Sequence, residues 1–144
     1  MKVFLGGTCA GSTWRDELIP QLKIDYFNPV VADWTPECRA EEIRQRETCD
    51  YVLYTITSQM KGVYSIAEVA DDSNKQPSKT ILCLLMDGFD AQQAHSLYAL
   101  ADMVARNGAF VAYSLEHTAL YLNAALYLEQ KPLLPLGISH PEGL

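Results

Sequence analysis

Positive charge is scarce in this chain. Eleven Lys and Arg stand against 18 Asp and Glu, a net charge of -7 at pH 7 with a sequence pI near 4.8. A reader of phosphate backbones needs a basic stripe, so no nucleic acid is expected as a partner. Cysteine is sparse too. Cys9, Cys38, Cys49 and Cys83 form no Cys-x-x-Cys pair, and Cys49 and Cys83 lie in or beside apolar runs. That pattern reads as reduced, mostly buried thiols and not a disulfide frame. The histidines, His95, His117 and His140, show no ligand spacing, so no metal site and no cofactor are expected. No apolar run nears the length of a membrane span and no signal-peptide pattern opens the chain, so the expectation is a cytoplasmic protein with no membrane partner.

What is present suits an enzyme-sized α/β domain. The 144 residues are 49% hydrophobic and 20% charged, enough for one core. Residues 2–5 form an apolar run that stops at Gly6-Gly7, and a small-residue turn, residues 6–12, leads into a helix over 13–22. The turn is neither a P-loop, since Gly-Lys-Ser/Thr is absent, nor a GxGxxG fingerprint. It still brings backbone N–H groups close to an anion or a sugar. A second strand is expected over 26–32, ending at Asp33-Trp34. Thr35 as N-cap, Pro36 at the first helical position and Glu37 in the first turn then open a helix running toward Thr48. Strands follow over 50–56, 79–85 and 109–113, and helices over 91–107, closed by Gly108, and 115–130, capped by Ser114. Residues 1–131 make a single domain; the tail, 132–144, carries three prolines and is left without regular structure, a segment suited to a subunit interface.

Five strands, each followed by a helix, predict a flavodoxin-like, doubly wound five-stranded parallel sheet of order 2-1-3-4-5 with helices on both faces. Its switch point falls between the first and third strands. The stretch of residues 62–73 follows the third strand with helical spacing, Val63, Ile66, Ala67, Val69 and Ala70 facing the core, and carries Glu68 inside that pattern. Gly6, Gly7, Thr8, Asp33, Trp34, Thr57, Tyr64, Met86 and Glu68 therefore converge at one carboxyl edge. Carboxylates among aromatics and hydroxyls suit a sugar or nucleoside, because a carboxylate can attack an anomeric carbon while a second acid protonates the leaving group. Cys9 lacks a histidine partner for thiol chemistry. Arg15, at the helix start, is the cation placed to meet a phosphate.

The residues Val3-Phe4-Leu5-Gly6-Gly7-Thr8, Cys49-Asp50-Tyr51-Val52-Leu53 and Gly62 with Ala67-Glu68-Val69 resemble the nucleoside 2-deoxyribosyltransferase family and the related deoxynucleotide N-glycoside hydrolases. The resemblance implies that Glu68 is the nucleophile that takes the deoxyribosyl group. It also implies that a carboxylate eight residues ahead of the strand-opening Asp50, here Glu42, assists at the base. The chain departs from the pattern in four places. Glu42 stands for the usual Asp, Phe4 for a tyrosine, and Ala70 for a glycine; the turn Gln59-Met60-Lys61-Gly62-Val63 lacks an aspartate. The proton donor thus stays open between Glu42 and Asp33.

By resemblance the reaction is a ping-pong transfer of deoxyribose between bases, with no cofactor, in a homo-oligomer. Phe4, Gly6, Gly7, Thr8, Trp34, Thr57, Tyr64 and Met86 would bind substrate, and Asn123 would reach a partner's pocket. The alternatives are hydrolysis of a deoxynucleoside or deoxynucleotide, a non-catalytic nucleotide-metabolite-binding protein on the same fold, and a flavin-binding flavodoxin-like protein, for which the first loop lacks a Ser/Thr-rich phosphate cradle.

Overall fold

The computed structural model describes residues 1–9 and 11–130; the expected tail, 132–144, lies outside them. The strands β1 (Lys2–Gly7), β2 (Asp25–Phe27), β3 (Tyr51–Ile56), β4 (Thr80–Leu84) and β5 (Phe110–Ala112) form one parallel sheet of order β2-β1-β3-β4-β5. Helices α1 (Trp14–Leu18), α2 (Pro36–Thr48), α3 (Tyr64–Lys75) and α4 (Ala91–Arg106) make the crossovers, and α5 (Leu115–Gln130) follows the last strand. This is the flavodoxin-like architecture expected from the strand–helix alternation. No helix among the described residues is long and apolar enough to cross a membrane.

Parallel strands covered on both faces read as near-continuous apolar runs, and all five residues of β4 are buried, Thr80 among them with its hydroxyl donating to the Gln76 carbonyl at 2.9 Å. Alternation sorts the core into two layers. Val3, Leu5, Leu53, Ile81 and Cys83 pack against Trp14, Leu18, Leu115 and Leu122 on the side of α1 and α5. Phe4, Val52, Tyr54, Ile56, Leu82 and Leu84 pack against Val69, Leu97 and Val104 on the opposite side. Each aliphatic side chain so buried contributes about 1.5–3 kcal/mol of transfer free energy. All four cysteines are free, Cys49 and Cys83 in the core.

Two elements are shorter than their sequence patterns. β2 spans Asp25–Phe27 and not 26–32, because Pro29 lacks the N–H that would extend an edge ladder. The segment after it turns instead, with Asn28 Oδ1 accepting the Val30 N–H at 3.0 Å. The first helix stops at Leu18 and tightens into a 3-10 turn, Ile19–Gln21, around Pro20. The caps follow their chemistry: Thr35 Oγ1 accepts the Cys38 N–H at 3.1 Å, Ser114 Oγ accepts the His117 N–H at 3.1 Å, and Gly108 takes φ 108° past the end of α4. Asp90 and Gln93 add a reciprocal capping box at the start of α4.

Candidate active site

The carboxyl ends of β1 and β3 lie unusually close. Gly7 has φ +119°, and a Cβ there would stand 2.1 Å from the Thr55 carbonyl oxygen. One residue earlier, a Cβ on Gly6 would stand 2.8 Å from the Tyr54 ring. Only glycine fits at Gly7 on both counts, conformation and space. The loop beyond is tied down. Thr8 N–H donates to the Thr55 carbonyl at 2.9 Å, and Thr8 Oγ1 accepts the Thr57 N–H at 3.0 Å. Arg15, buried, donates to the Leu5, Thr8 and Gly7 carbonyls at 2.9, 2.8 and 3.4 Å, and Trp14 Nε1 adds a bond of 2.9 Å to Thr8. The guanidinium that the sequence offered to a phosphate is thus engaged on its own backbone, where burial lowers its pKa.

Above this edge opens a cavity of about 220 Å³, lined by Gly7, Thr8, Cys9, Met60, Lys61, Gly62, Tyr64 and Ser65. Its far wall is the first turn of α3. One turn further along the same helix, four residues beyond Tyr64, stands Glu68, its side chain only 11% exposed. Glu68 faces α2. Arg46 Nη1 lies 3.8 Å from Glu68 Oε2, and Arg46 Nη2 donates to the Glu68 carbonyl at 3.5 Å.

Behind Glu68 the network closes. Arg46 Nε and Nη2 bond the two carboxylate oxygens of buried Asp72 at 2.9 and 3.0 Å. Tyr54 Oη donates to Asp72 Oδ2 at 2.6 Å, and Gln76 Nε2 to Asp72 Oδ1 at 3.1 Å. Burial first, then the charges of Glu42 and Asp72, push the Glu68 carboxyl up to about 7 against the pull of Arg46 and Arg39. The Tyr54 hydroxyl is pushed well above its ordinary range by burial, by its bond to Asp72 and by the charges of Asp72 and Glu68. Arg46 is held firmly charged: burial opposes it, and the Asp72 bond with the charges around it outweighs that.

The other expected site residues divide by place. Glu42, on α2 and half-buried, acts electrostatically on both Glu68 and Arg15, so it stands near the enclosed carboxylate. Asp33 and Trp34 lie on the exposed segment before α2, Trp34 at 64% exposure, outside the enclosed cluster. Tyr64 is exposed at the mouth with the Arg39 guanidinium 5.9 Å from its ring centroid. Thr57 is buried, its Oγ1 accepting the Gln59 N–H at 3.3 Å. Phe4 is buried against Phe27, ring centroids 5.8 Å apart, and against Tyr54. Met86 lines a separate cavity of about 500 Å³ with Tyr98 and Tyr113, at the ends of β4 and β5. Asn123 serves its own chain: Oδ1 accepts the Lys23 N–H at 2.8 Å and Nδ2 donates to the Gln21 carbonyl at 2.9 Å. Asp50 accepts the Lys2 N–H at the amino edge, a structural role.

Arg46, Asp72 and Tyr54 escaped the sequence reading. Arg46 and Asp72 lie 26 positions apart, so no local spacing pairs them. A trace was present in the Asp71-Asp72 pair one turn after Glu68, where a wholly solvated helix face would not interrupt Val69 and Ser73, both buried.

Residues 1–89 match the family model described as nucleoside 2-deoxyribosyltransferase like. The match spans the first loop, Glu42, Glu68 and the Arg46–Asp72 pair. Comparison with curated proteins and with solved structures gave no match.

Proposed function

The chain belongs to the nucleoside 2-deoxyribosyltransferase-like family, and we propose that it cleaves the N-glycosidic bond of 2′-deoxynucleosides and transfers the sugar to another base. The observation that carries this reading is Glu68: a carboxylate largely shielded from water, faced by Arg46, one helical turn from a cavity floored by Gly7 and Thr8.

In this reading a Glu68 carboxylate oxygen attacks C1′ and the C1′–N bond breaks. The bonding pair leaves with the base, which takes a proton from a neighbouring acid. The sugar is then held as a glutamyl ester. A nitrogen of a second base attacks the same carbon, expels Glu68 and returns a proton, with net retention. Between the two candidate acids, Glu42 is favoured, because its charge acts on Glu68 while Asp33 lies exposed before α2. A carboxyl at about 7 is half ionised at neutral pH and is a stronger nucleophile than an ordinary glutamate. Tyr64 would stack on the base, and Thr8 would bond the sugar. Water in place of the second base gives the hydrolase.

Exposed Leu120 and Leu128 on α5 support assembly with a second copy. The test is incubation with deoxyadenosine and free cytosine. Exchanged nucleoside is expected, and it should vanish in Glu68→Ala. Released base without exchange would make the enzyme a hydrolase, and full activity in the variant would remove Glu68 as nucleophile.

A further inference from the structure

Arg46 faces Glu68 but touches no part of the cavity, and its own surroundings are elaborate for a surface ion pair. Two of its nitrogens are fixed on Asp72, whose carboxylate also accepts from Tyr54 and Gln76. A guanidinium so clamped has a set direction, and Nη1 is left toward Glu68 Oε2 at 3.8 Å. From this we infer that Arg46, held by Asp72 and Tyr54, is a positioning residue that fixes the place of the Glu68 carboxylate between α3 and α2 through its charge.

The inference rests on Glu68 being the nucleophile, yet its physical content stands apart from any activity. Glu68 is faced from α2 by Arg46, Arg39 and Glu42 and from its own helix by Asp72; Asp71, exposed and paired with Lys75, shares Arg46 Nη2 at 3.3 Å, and the Tyr54 hydroxyl of β3 lies behind Asp72. Of these, Arg46 and Arg39 favour the carboxylate; Glu42, Asp72 and enclosure oppose it. Arg46 is the half-buried cation among them, and Arg39 is exposed, where water screens its charge. At 3.8 Å the pair lies beyond hydrogen-bond distance, so Arg46 orients the carboxylate and does not compete for the lone pair that attacks C1′.

The experiment follows Glu68 directly, by carbon-13 NMR titration of the glutamate side-chain carboxyls in the full chain, with the Glu68→Gln spectrum for assignment. In Arg46→Met the Glu68 midpoint is expected to rise by about 1 pH unit or more, as loss of an adjacent opposite charge does. The acid limb of the exchange reaction should rise with it, a roughly tenfold loss of rate well below the midpoint for each unit. Arg46→Lys, which keeps the charge, should leave the midpoint in place. Removing one partner of a buried pair invites unfolding, so the double variant Arg46→Gln with Asp72→Asn exchanges the buried Arg46–Asp72 pair for a neutral one and leaves Asp71, exposed, to its pair with Lys75. There the midpoint should also rise, because Glu68 loses the cation that stands 3.8 Å from its carboxylate. A rise with no exchange activity in any form upholds the role of Arg46 and removes the proposed reaction. A midpoint that stays put in folded Arg46→Met or in the double variant overturns the inference, whatever the activity.

Discussion

Glu68 carries a conflict between stability and chemistry. Its folded-state carboxyl titrates near 7, above the ordinary value of 4.5. The sign follows from linkage: a raised carboxyl is a cost to folding that is absent below the unfolded value and grows as pH climbs toward 7. At pH 8 the full cost applies. Glu68→Gln, neutral and of the same shape, should therefore be inactive yet more stable at pH 8 by roughly 1–3 kcal/mol, with the gain fading toward pH 4.5. Urea unfolding of both proteins at the two pH values checks this. Equal stability at pH 8 would mean that the carboxylate is solvated in the fold. Tolerating such strain is common where a side chain is kept for function.

At the scale of elements, the site is a meeting of α2 and α3 over the ends of β1 and β3. α2 supplies Arg39, Glu42 and Arg46, so its placement governs the electrostatics around Glu68. Thr35 anchors its start through the 3.1 Å bond to the Cys38 N–H. Thr35→Ala should cost about 1 kcal/mol of stability and reduce exchange activity, since the first turn carries Arg39 toward Tyr64. Thermal unfolding and kcat/KM measure the two effects; an unchanged melting temperature would deny the cap its role.

Much of this layer was legible in the sequence, and for physical reasons. Thr35-Pro36, Gly108 and Ser114 signal helix ends through local chemistry, and the apolar residues of β4 signal a covered strand. The crossover rule then orders the strands, which brings the start of α3 to the edge where the first loop lies, with Glu68 one turn beyond the residues that line the cavity there. What stayed hidden was non-local. The spent state of Arg15 depends on carbonyls of β1 and the loop after it, and the Arg46–Asp72 pair joins two helices. Asp33 and Trp34 sat at the right strand end by pattern. Pro29 ends β2 early, so they follow on an exposed segment.

For the whole molecule, the doubly wound sheet brings its first and third strands side by side and leaves a crevice where their connections part to opposite faces. The glycines let the backbone of that crevice close tightly, and α3, whose first turn walls the cavity there, carries one enclosed carboxylate a turn further on. The central claim is that this carboxylate takes the sugar. The most direct measurement is to quench the protein during turnover of deoxyadenosine, without an acceptor base, and to map any sugar-modified peptide by mass spectrometry. A deoxyribosyl ester on Glu68, lost when cytosine is added before the quench, is the predicted result. An ester on any other residue, or turnover with no adduct and with inversion at C1′, would contradict it.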